Sequence, residues 1–209
     1  MRAIFLDRDG VICENRSDHV KSWAEFKFLP DAKDSLAALS RLGLPIIVVT
    51  NQAAIGRGLV TANVVEDIHE RMQAELASHG GRIDRVVYCP HRPEDECGCR
   101  KPEPGMLVQV AQGLGIDLTR SYLVGDASTD VIAGNRVGCR TFLVLTGRGF
   151  QQLLPTLGLV GNNFTLVRNL MDATSHILKA ELDIIDEADQ LSLAYAKRYR
   201  QSLSAAGNL

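Results

Sequence analysis

Short runs of β-branched and other apolar residues recur along the chain, each too brief for a helix and each followed by polar or glycine-rich positions. Ala3 to Leu6, Pro45 to Val49, Arg85 to Tyr88, Tyr122 to Val124 and Thr141 to Leu145 read as buried strands. Between them the apolar spacing changes to the three-to-four-residue period of amphipathic helices. Leu36, Leu39 and Leu42 share one face ahead of Gly43, and Val64, Ile68, Met72 and Leu76 share another, with Thr61 as N-cap and Gly80 and Gly81 closing the helix. Met106, Val110, Ala111 and Leu114 repeat the arrangement ahead of Gly115. Strict alternation of strand and helix predicts an α/β fold: a three-layer, Rossmann-like parallel sheet with helices on both faces, whose ligands bind beyond the carboxyl ends of the strands.

From about Met171 to Ala206 the pattern is helical and separate in character, with Ile184, Ala188, Leu191, Tyr195 and Tyr199 on one face and charges opposite. The expected division is a main domain over residues 1–180 and a C-terminal helical extension over 181–209. That extension either packs back on its own domain or mediates self-association, so the chain is expected to be a monomer or a weak homodimer.

Composition narrows the class. With 45% apolar, 23% charged and 5% aromatic residues, the chain reads as an ordinary soluble globular protein. A net charge of -2 and a pI near 6.2 argue against nucleic acid or an anionic membrane as main partner, since both reward a basic excess. The apolar start is too short for a signal peptide, and the least charged stretch, Thr141 to Val167, is broken by Arg148, Pro155 and several glycines. The expectation is a cytoplasmic protein with no membrane span. Five cysteines are an odd count for a disulfide framework, and three crowd together at Cys89, Cys97 and Cys99.

The chemistry lies in the residues that follow the strands. Asp7-Arg8-Asp9-Gly10 ends the first, and Gly10 allows a turn that brings both carboxylates toward one point. Two acids so close need a cation or a shared proton, and Mg²⁺ suits oxygen ligands alongside a phosphate. Thr50 and Asn51 end the second strand, before Gln52, Ala53 and a glycine-containing loop whose amides can cradle a phosphate. Arg100 and Lys101 supply two cations ahead of a helix beginning near Pro104. Asp126 follows the fourth strand, with Asp130 one helical turn beyond it. Taken singly, these are also the features of a solvated loop, a surface cation pair or an N-cap. Cys89, His91, Cys97 and Cys99 form a full tetrahedral donor set, which points to structural zinc over a redox role, because no disulfide pairing explains His91. Such a metal would brace the two cations that follow Cys99. Cys13 and Cys139 read as small core residues.

The ordered set Asp-x-Asp, Thr, Lys, Asp-x-x-x-Asp resembles the haloacid dehalogenase superfamily over residues 1 to about 150. The resemblance implies a phosphatase with Asp7 as nucleophile, forming an aspartyl-phosphate, and Asp9 as acid and then base. It further implies Mg²⁺ on Asp7, the Asp9 carbonyl and Asp126, with Thr50 and Lys101 on the transferring phosphoryl oxygens. Cys-x-His followed by Cys-x-Cys-Arg-Lys-Pro-x-Pro-Gly-Met is more specific. With Val49-Thr50-Asn51-Gln52 and Ile55-Gly56-Arg57-Gly58, it is similar to the heptose 1,7-bisphosphate 7-phosphatases and their histidinol-phosphate phosphatase relatives.

That likeness implies a small enzyme without a large cap domain, in which a zinc loop and a short flap after the first strand shape a pocket for a small phosphorylated sugar. Asn15, His19, Thr50, Asn51, Gln52, Ala53, Arg100 and Lys101 would line it. The chain departs from the pattern at Val11, where a Thr is usual, at Ala53, where a Ser is common, and at Asp18-His19-Val20 in the flap. Trp23, Phe26 and Phe28 are expected to anchor the flap base. Histidinol phosphate is the alternative substrate. A phospho-acceptor signalling domain and a zinc-dependent binding module are the readings from other classes, and Asp9 favours a hydrolase over the first of them.

Overall fold

The computed structural model describes residues 1–184, 186 and 190. Its strands are β1 (Ile4–Leu6), β2 (Ile46–Asn51), β3 (Arg85–Cys89), β4 (Tyr122–Gly125), β5 (Arg140–Val144) and β6 (Thr165–Val167). They form one parallel sheet in the order β3-β2-β1-β4-β5-β6. Helices α1 (Ala32–Ser40), α2 (Ala53–Gly56), α3 (Ala62–Ser78), α4 (Gly105–Leu114), α5 (Ser128–Arg136) and α6 (Gly149–Val160) alternate with them, which completes the three-layer α/β fold expected from the pattern. A first compact unit, Met1–Thr174, carries the sheet; a second begins at Ser175, and residues 170–184 are helical. Among the described residues no helix is long and apolar enough to cross a membrane.

Continuous apolar runs become central strands because both faces of the sheet are covered. Ile4, Phe5, Leu6 and all of Ile46–Val49 are fully buried. Ile4 stands opposite Ile46 and Tyr122, and Leu6 opposite Val48 and Val124, so the tips of β1, β2 and β4 come level. The chain leaves β1 for β2 on one side and returns as β4 on the other. A crevice opens at this reversal of strand order, beyond the carboxyl ends. Asp7 and Asp126 flank it, and the Asp7 amide donates to the Val124 carbonyl at 2.9 Å.

The flap lies between β1 and α1. At its base Trp23 stacks on Phe26 with ring centroids 5.0 Å apart, and Phe26 meets Phe28 edge-on at 5.0 Å, the anchoring role expected of the three aromatics. Cys13 and Cys139 are buried, as expected of core residues.

The structure departs from the hydrophobic pattern in several places. On α3 the inward face is Val65, Ile68, His69, Met72 and Leu76, whereas Val64 is 36% exposed. Thr61 does cap the helix, its hydroxyl accepting from the Val64 amide at 3.4 Å; a residue that close to the cap sits where the first turn faces water. Leu42 lies beyond the end of α1, and Leu114, the last residue of α4, is 38% exposed. Strand β6 and helix α6 have no counterpart in the expectation. β6 is a three-residue edge strand with a half-exposed pattern, and α6 contains Pro155 and Gly158, which break the pattern that normally marks a helix. In the C-terminal extension Ile184 is 37% exposed, while Ala188, Leu191, Tyr195 and Tyr199 lie outside the described residues.

The corrected face of α3 is testable by urea unfolding. Val65→Ala should lower stability by about 2 kcal/mol, and Val64→Ala should change it by less than about 0.5 kcal/mol.

Candidate active site

The turn after β1 is set by Gly10. Its φ of +85° is left-handed, and a Cβ there would collide with the Asp126 carboxylate. The Gly10 amide donates to the Cys13 carbonyl at 2.7 Å, and the Ile12 and Cys13 amides return to the Arg8 carbonyl at 2.9 and 3.0 Å. From the other side Gly147, at φ +59°, also lies against Asp126 where no side chain would fit. Two glycines therefore let two loops close on one buried carboxylate.

Asp7, Asp126 and Asp130 are buried, and each offers an oxygen within 4.8 Å of the other two. The Lys101 ammonium enters this cluster, 2.8 Å from Asp7 and 2.6 Å from Asp130, and donates to the Val49 carbonyl at 2.7 Å. Burial opposes its charge, but Asp130 and Asp7 outweigh that and hold Lys101 above its ordinary value. Burial raises Asp7 to about 7; Lys101 pulls it down, while Asp130, Asp126 and Asp9 push it up. Burial and Asp130 likewise raise Asp126, against Arg148. Lys101 and the half-exposed Arg148 do not neutralise three carboxylates. A further cation suits this donor set, and hard oxygen ligands suit Mg²⁺.

The carboxylate of Asp9 is not part of the cluster. Its two oxygens each lie 3.0 Å from Arg8 Nη2, and Gln52 Nε2 donates to Oδ2 at 2.9 Å. The cation that answers Asp9 is its own neighbour, so the third carboxylate beside Asp7 and Asp126 is Asp130, which the sequence set only in the background. Burial works against ionisation of Asp9, yet Arg8 more than offsets it and the carboxyl lies below its ordinary value.

At the end of β2, Thr50 is buried and its hydroxyl accepts from Gln52 Nε2 at 2.9 Å. Asn51 does something the sequence did not suggest: Nδ2 donates to the Lys101 carbonyl at 3.0 Å, and Oδ1 accepts from the Lys101 amide at 3.1 Å. Its side chain thus pins the backbone that carries the lysine. Ala53 opens α2 and is buried.

Cys89, His91, Cys97 and Cys99 converge. Their sulfurs are 3.3 to 3.5 Å apart, and His91 Nδ1 lies 3.5 Å from Cys89 and 3.3 Å from Cys99. These separations are far beyond a disulfide bond and somewhat inside the roughly 3.8 Å edge that Zn–S bonds of about 2.3 Å would give. The donor set fits a tetrahedral metal. Arg100 donates to the His91 carbonyl at 3.2 Å, which ties the cluster to the cations that follow it.

A cavity of about 270 Å³ opens above these groups. Every expected pocket residue lines it: Asn15 and His19 from the flap, Thr50 to Ala53, and Arg100 and Lys101. Arg16 and Arg148, which the sequence did not single out, also line it. Arg148 grips Asp126, with its amide 2.8 Å from Oδ2 and Nη2 3.1 Å from Oδ1. No motif spacing announces Arg148, since it follows a strand that carries no acid at its tip.

Comparison with known proteins agrees with this geometry. A HAD-hydrolase-like family model matches residues 98–170. The chain is 41% identical over 150 residues to the D-glycero-beta-D-manno-heptose-1,7-bisphosphate 7-phosphatase of Pseudomonas aeruginosa, covering 72% of this chain and 84% of that one. It is 35% identical over 179 residues to the enzyme of the same name from Neisseria meningitidis, covering 86% and 96%. The crystal structure of D,D-heptose 1,7-bisphosphate phosphatase from B. bronchiseptica, complexed with magnesium and phosphate, superposes with a TM-score of 0.82 at 34% identity, covering 86% of this chain and 99% of that one. The chain therefore belongs to the haloacid dehalogenase-like phosphatases, enzymes that hydrolyse phosphomonoesters, and within them to the family of the heptose 1,7-bisphosphate 7-phosphatases.

Proposed function

We propose that the protein removes the 7-phosphate of D-glycero-D-manno-heptose 1,7-bisphosphate, through an aspartyl-phosphate on Asp7. The observation that carries this reading is the buried Asp7, Asp126 and Asp130 cluster with Lys101 in it, at the floor of a cavity rimmed by cations. A carboxylate attacking an anionic phosphoryl group meets like-charge repulsion, so positive charge must already be present where the phosphoryl oxygens arrive. Lys101 supplies part of it. Asp7, Asp126 and the Asp9 carbonyl would hold Mg²⁺, which supplies further neutralisation of the phosphoryl oxygens.

In the first displacement an Asp7 oxygen bonds to phosphorus, the bond to the sugar oxygen breaks, and that oxygen takes a proton from Asp9. In the second, water attacks the aspartyl-phosphate and gives a proton to Asp9, and phosphate leaves with Asp7 restored. The Thr50 hydroxyl contributes a further donor to the phosphoryl oxygens.

The Arg16 and Arg100 guanidiniums around the same cavity suit a substrate with a second anionic group. Histidinol phosphate, the second reading, carries an amine that this rim repels. The metal of the Cys89, His91, Cys97 and Cys99 cluster is proposed to be structural zinc, which gives a polar loop a fixed shape and holds Arg100 and Lys101 in place.

Asp7→Asn should abolish turnover of the heptose bisphosphate while the fold persists by circular dichroism. On a panel of phosphorylated sugars and histidinol phosphate, kcat/KM should be highest for the heptose bisphosphate, and a preference for histidinol phosphate reverses the order of the two readings. Lys101→Ala should lower kcat by about a hundredfold or more with a smaller rise in KM; a change in KM alone removes Lys101 from the transition state. Metal analysis of protein prepared without chelator should find about one zinc per chain, and substitution of Cys97 by Ser should reduce both that content and kcat.

A further inference from the structure

Arg8 is the bulkiest of the fully buried side chains among the described residues. A guanidinium out of water must find partners for its donors, and those partners are specific. Nη2 faces both Asp9 oxygens at 3.0 Å and donates to Gln52 Oε1 at 3.0 Å. Nη1 lies 3.0 Å from His69 Nε2 on α3. A guanidinium has donors only, so Nε2 must accept, and the imidazole is neutral with its proton on Nδ1. Burial, and after it Arg8, lowers His69 to about 3, in the same direction. Gln52 is oriented by the same logic: its Nε2 donates to Asp9 and Thr50, which turns Oε1 to Arg8.

The chain of bonds thus runs from His69 through Arg8 to Asp9, with Gln52 closing it from the β2 side. His69 is buried and does not line the cavity, whereas Asp9 does, with its side chain 20% exposed. An imidazole on α3, 61 residues along the chain, therefore has a mechanical path to a carboxylate at the cavity wall. Geometry at this carboxylate matters because the proton it gives must meet the leaving oxygen, and a displacement of an ångström costs orders of magnitude in rate.

We propose that His69 and Arg8 are positioning residues for Asp9: the imidazole fixes the buried guanidinium, and the guanidinium, with Gln52, fixes the Asp9 carboxylate where the leaving oxygen departs. This rests on the assignment of Asp9 as proton donor. A purely structural role for His69, as a partner for a buried charge, would change stability and leave the chemistry of the folded enzyme as it was. The two roles separate by leaving group. Departure of a sugar alkoxide needs a placed proton, whereas p-nitrophenolate departs without one, and kcat/KM reports the steps through formation of the aspartyl-phosphate.

The test uses the full-length enzyme loaded with magnesium and zinc, with heptose 1,7-bisphosphate and p-nitrophenyl phosphate as substrates. His69→Leu removes the acceptor at similar volume. It should lower kcat/KM for the heptose ester by about tenfold or more and for p-nitrophenyl phosphate by less than about threefold. His69→Gln, whose side-chain oxygen can accept from Arg8, should recover most of the loss. Equal effects on both substrates, no effect on either, or no recovery in His69→Gln would overturn the proposal. Asp9→Asn is the control on the underlying assignment: it should show the same leaving-group contrast, more strongly. If it shows none, the role given to Asp9 fails; if it does and His69→Leu does not, only the positioning role fails. Should His69→Leu not fold, as judged by its melting transition, His69→Met takes its place and is judged by the same contrast.

Discussion

Three buried carboxylates with oxygens within 4.8 Å of one another share one buried ammonium, and this imbalance governs the surrounding structure. Carboxylates as close as Asp7, Asp126 and Asp130 repel one another, and burial removes the water that would screen them. The fold holds them together by covalent and backbone means. Asp7 is tied to β4 through its amide, and Asp126 is boxed between Gly10 and Gly147, where any Cβ would displace it. Asp130 is held by the first turn of α5, where it accepts from the Ala127 amide at 3.0 Å. The site is therefore preorganised for positive charge, and Lys101 together with a divalent cation answers that demand.

Charge in the site is divided into two compartments. Asp7 and Asp130 face Lys101 and Asp126 faces Arg148, while Asp9 faces Arg8 and Gln52. The division has chemical sense. In the proposed mechanism the nucleophile and the metal ligands act ionised near the phosphoryl group, whereas Asp9 changes charge twice per cycle. Keeping Asp9 on a separate partner means that its proton is not set directly by the cation count of the cluster beside it. Two residues apart in the chain, Asp7 and Asp9 thus live in different electrostatic surroundings, and the arginine between them provides the difference.

Much of this was legible in the residues, for a physical reason. β1, β2 and β4 are buried on both faces, so their sequences are uninterrupted apolar runs, and the polar residues just past each run had to lie at the ligand-binding edge. Cys89, His91, Cys97 and Cys99 were legible because three thiols and an imidazole within eleven positions of a polar loop suit a metal. The parts that were not legible depend on packing between distant segments. Val64 and Val65 are chemically identical, and only the phase of α3 against the sheet decides which is buried. The hold of Asn51 on Lys101 spans 50 residues and that of His69 on Arg8 spans 61; neither leaves a local pattern. Helix α6 was hidden because proline and glycine within it speak against a helix that tertiary packing nevertheless forms.

The lysine raises the sharpest question of placement, since Lys101 reaches Asp7 across 94 residues of chain and sits on a loop too polar to form a core. Two anchors hold that loop. Cys89 is the last residue of β3 and begins the metal-ligand set, so the far end of the loop is tied to a strand. Asn51 is the last residue of β2 and binds both the amide and the carbonyl of Lys101, so the near end is tied to the neighbouring strand. β2 and β3 pair in register, with Asn51 opposite Cys89. The two anchors therefore start from adjacent points on one rigid edge, and the loop between them needs only the cysteine and histidine donors to close. Without a metal, only local packing would keep four donors within 4.8 Å of one another, and the lysine would be held by Asn51 at its backbone and by Asp7, Asp130 and the Val49 carbonyl at its ammonium. With the proposed metal bound, placement of the lysine would in this sense be shared between a sheet edge and that metal.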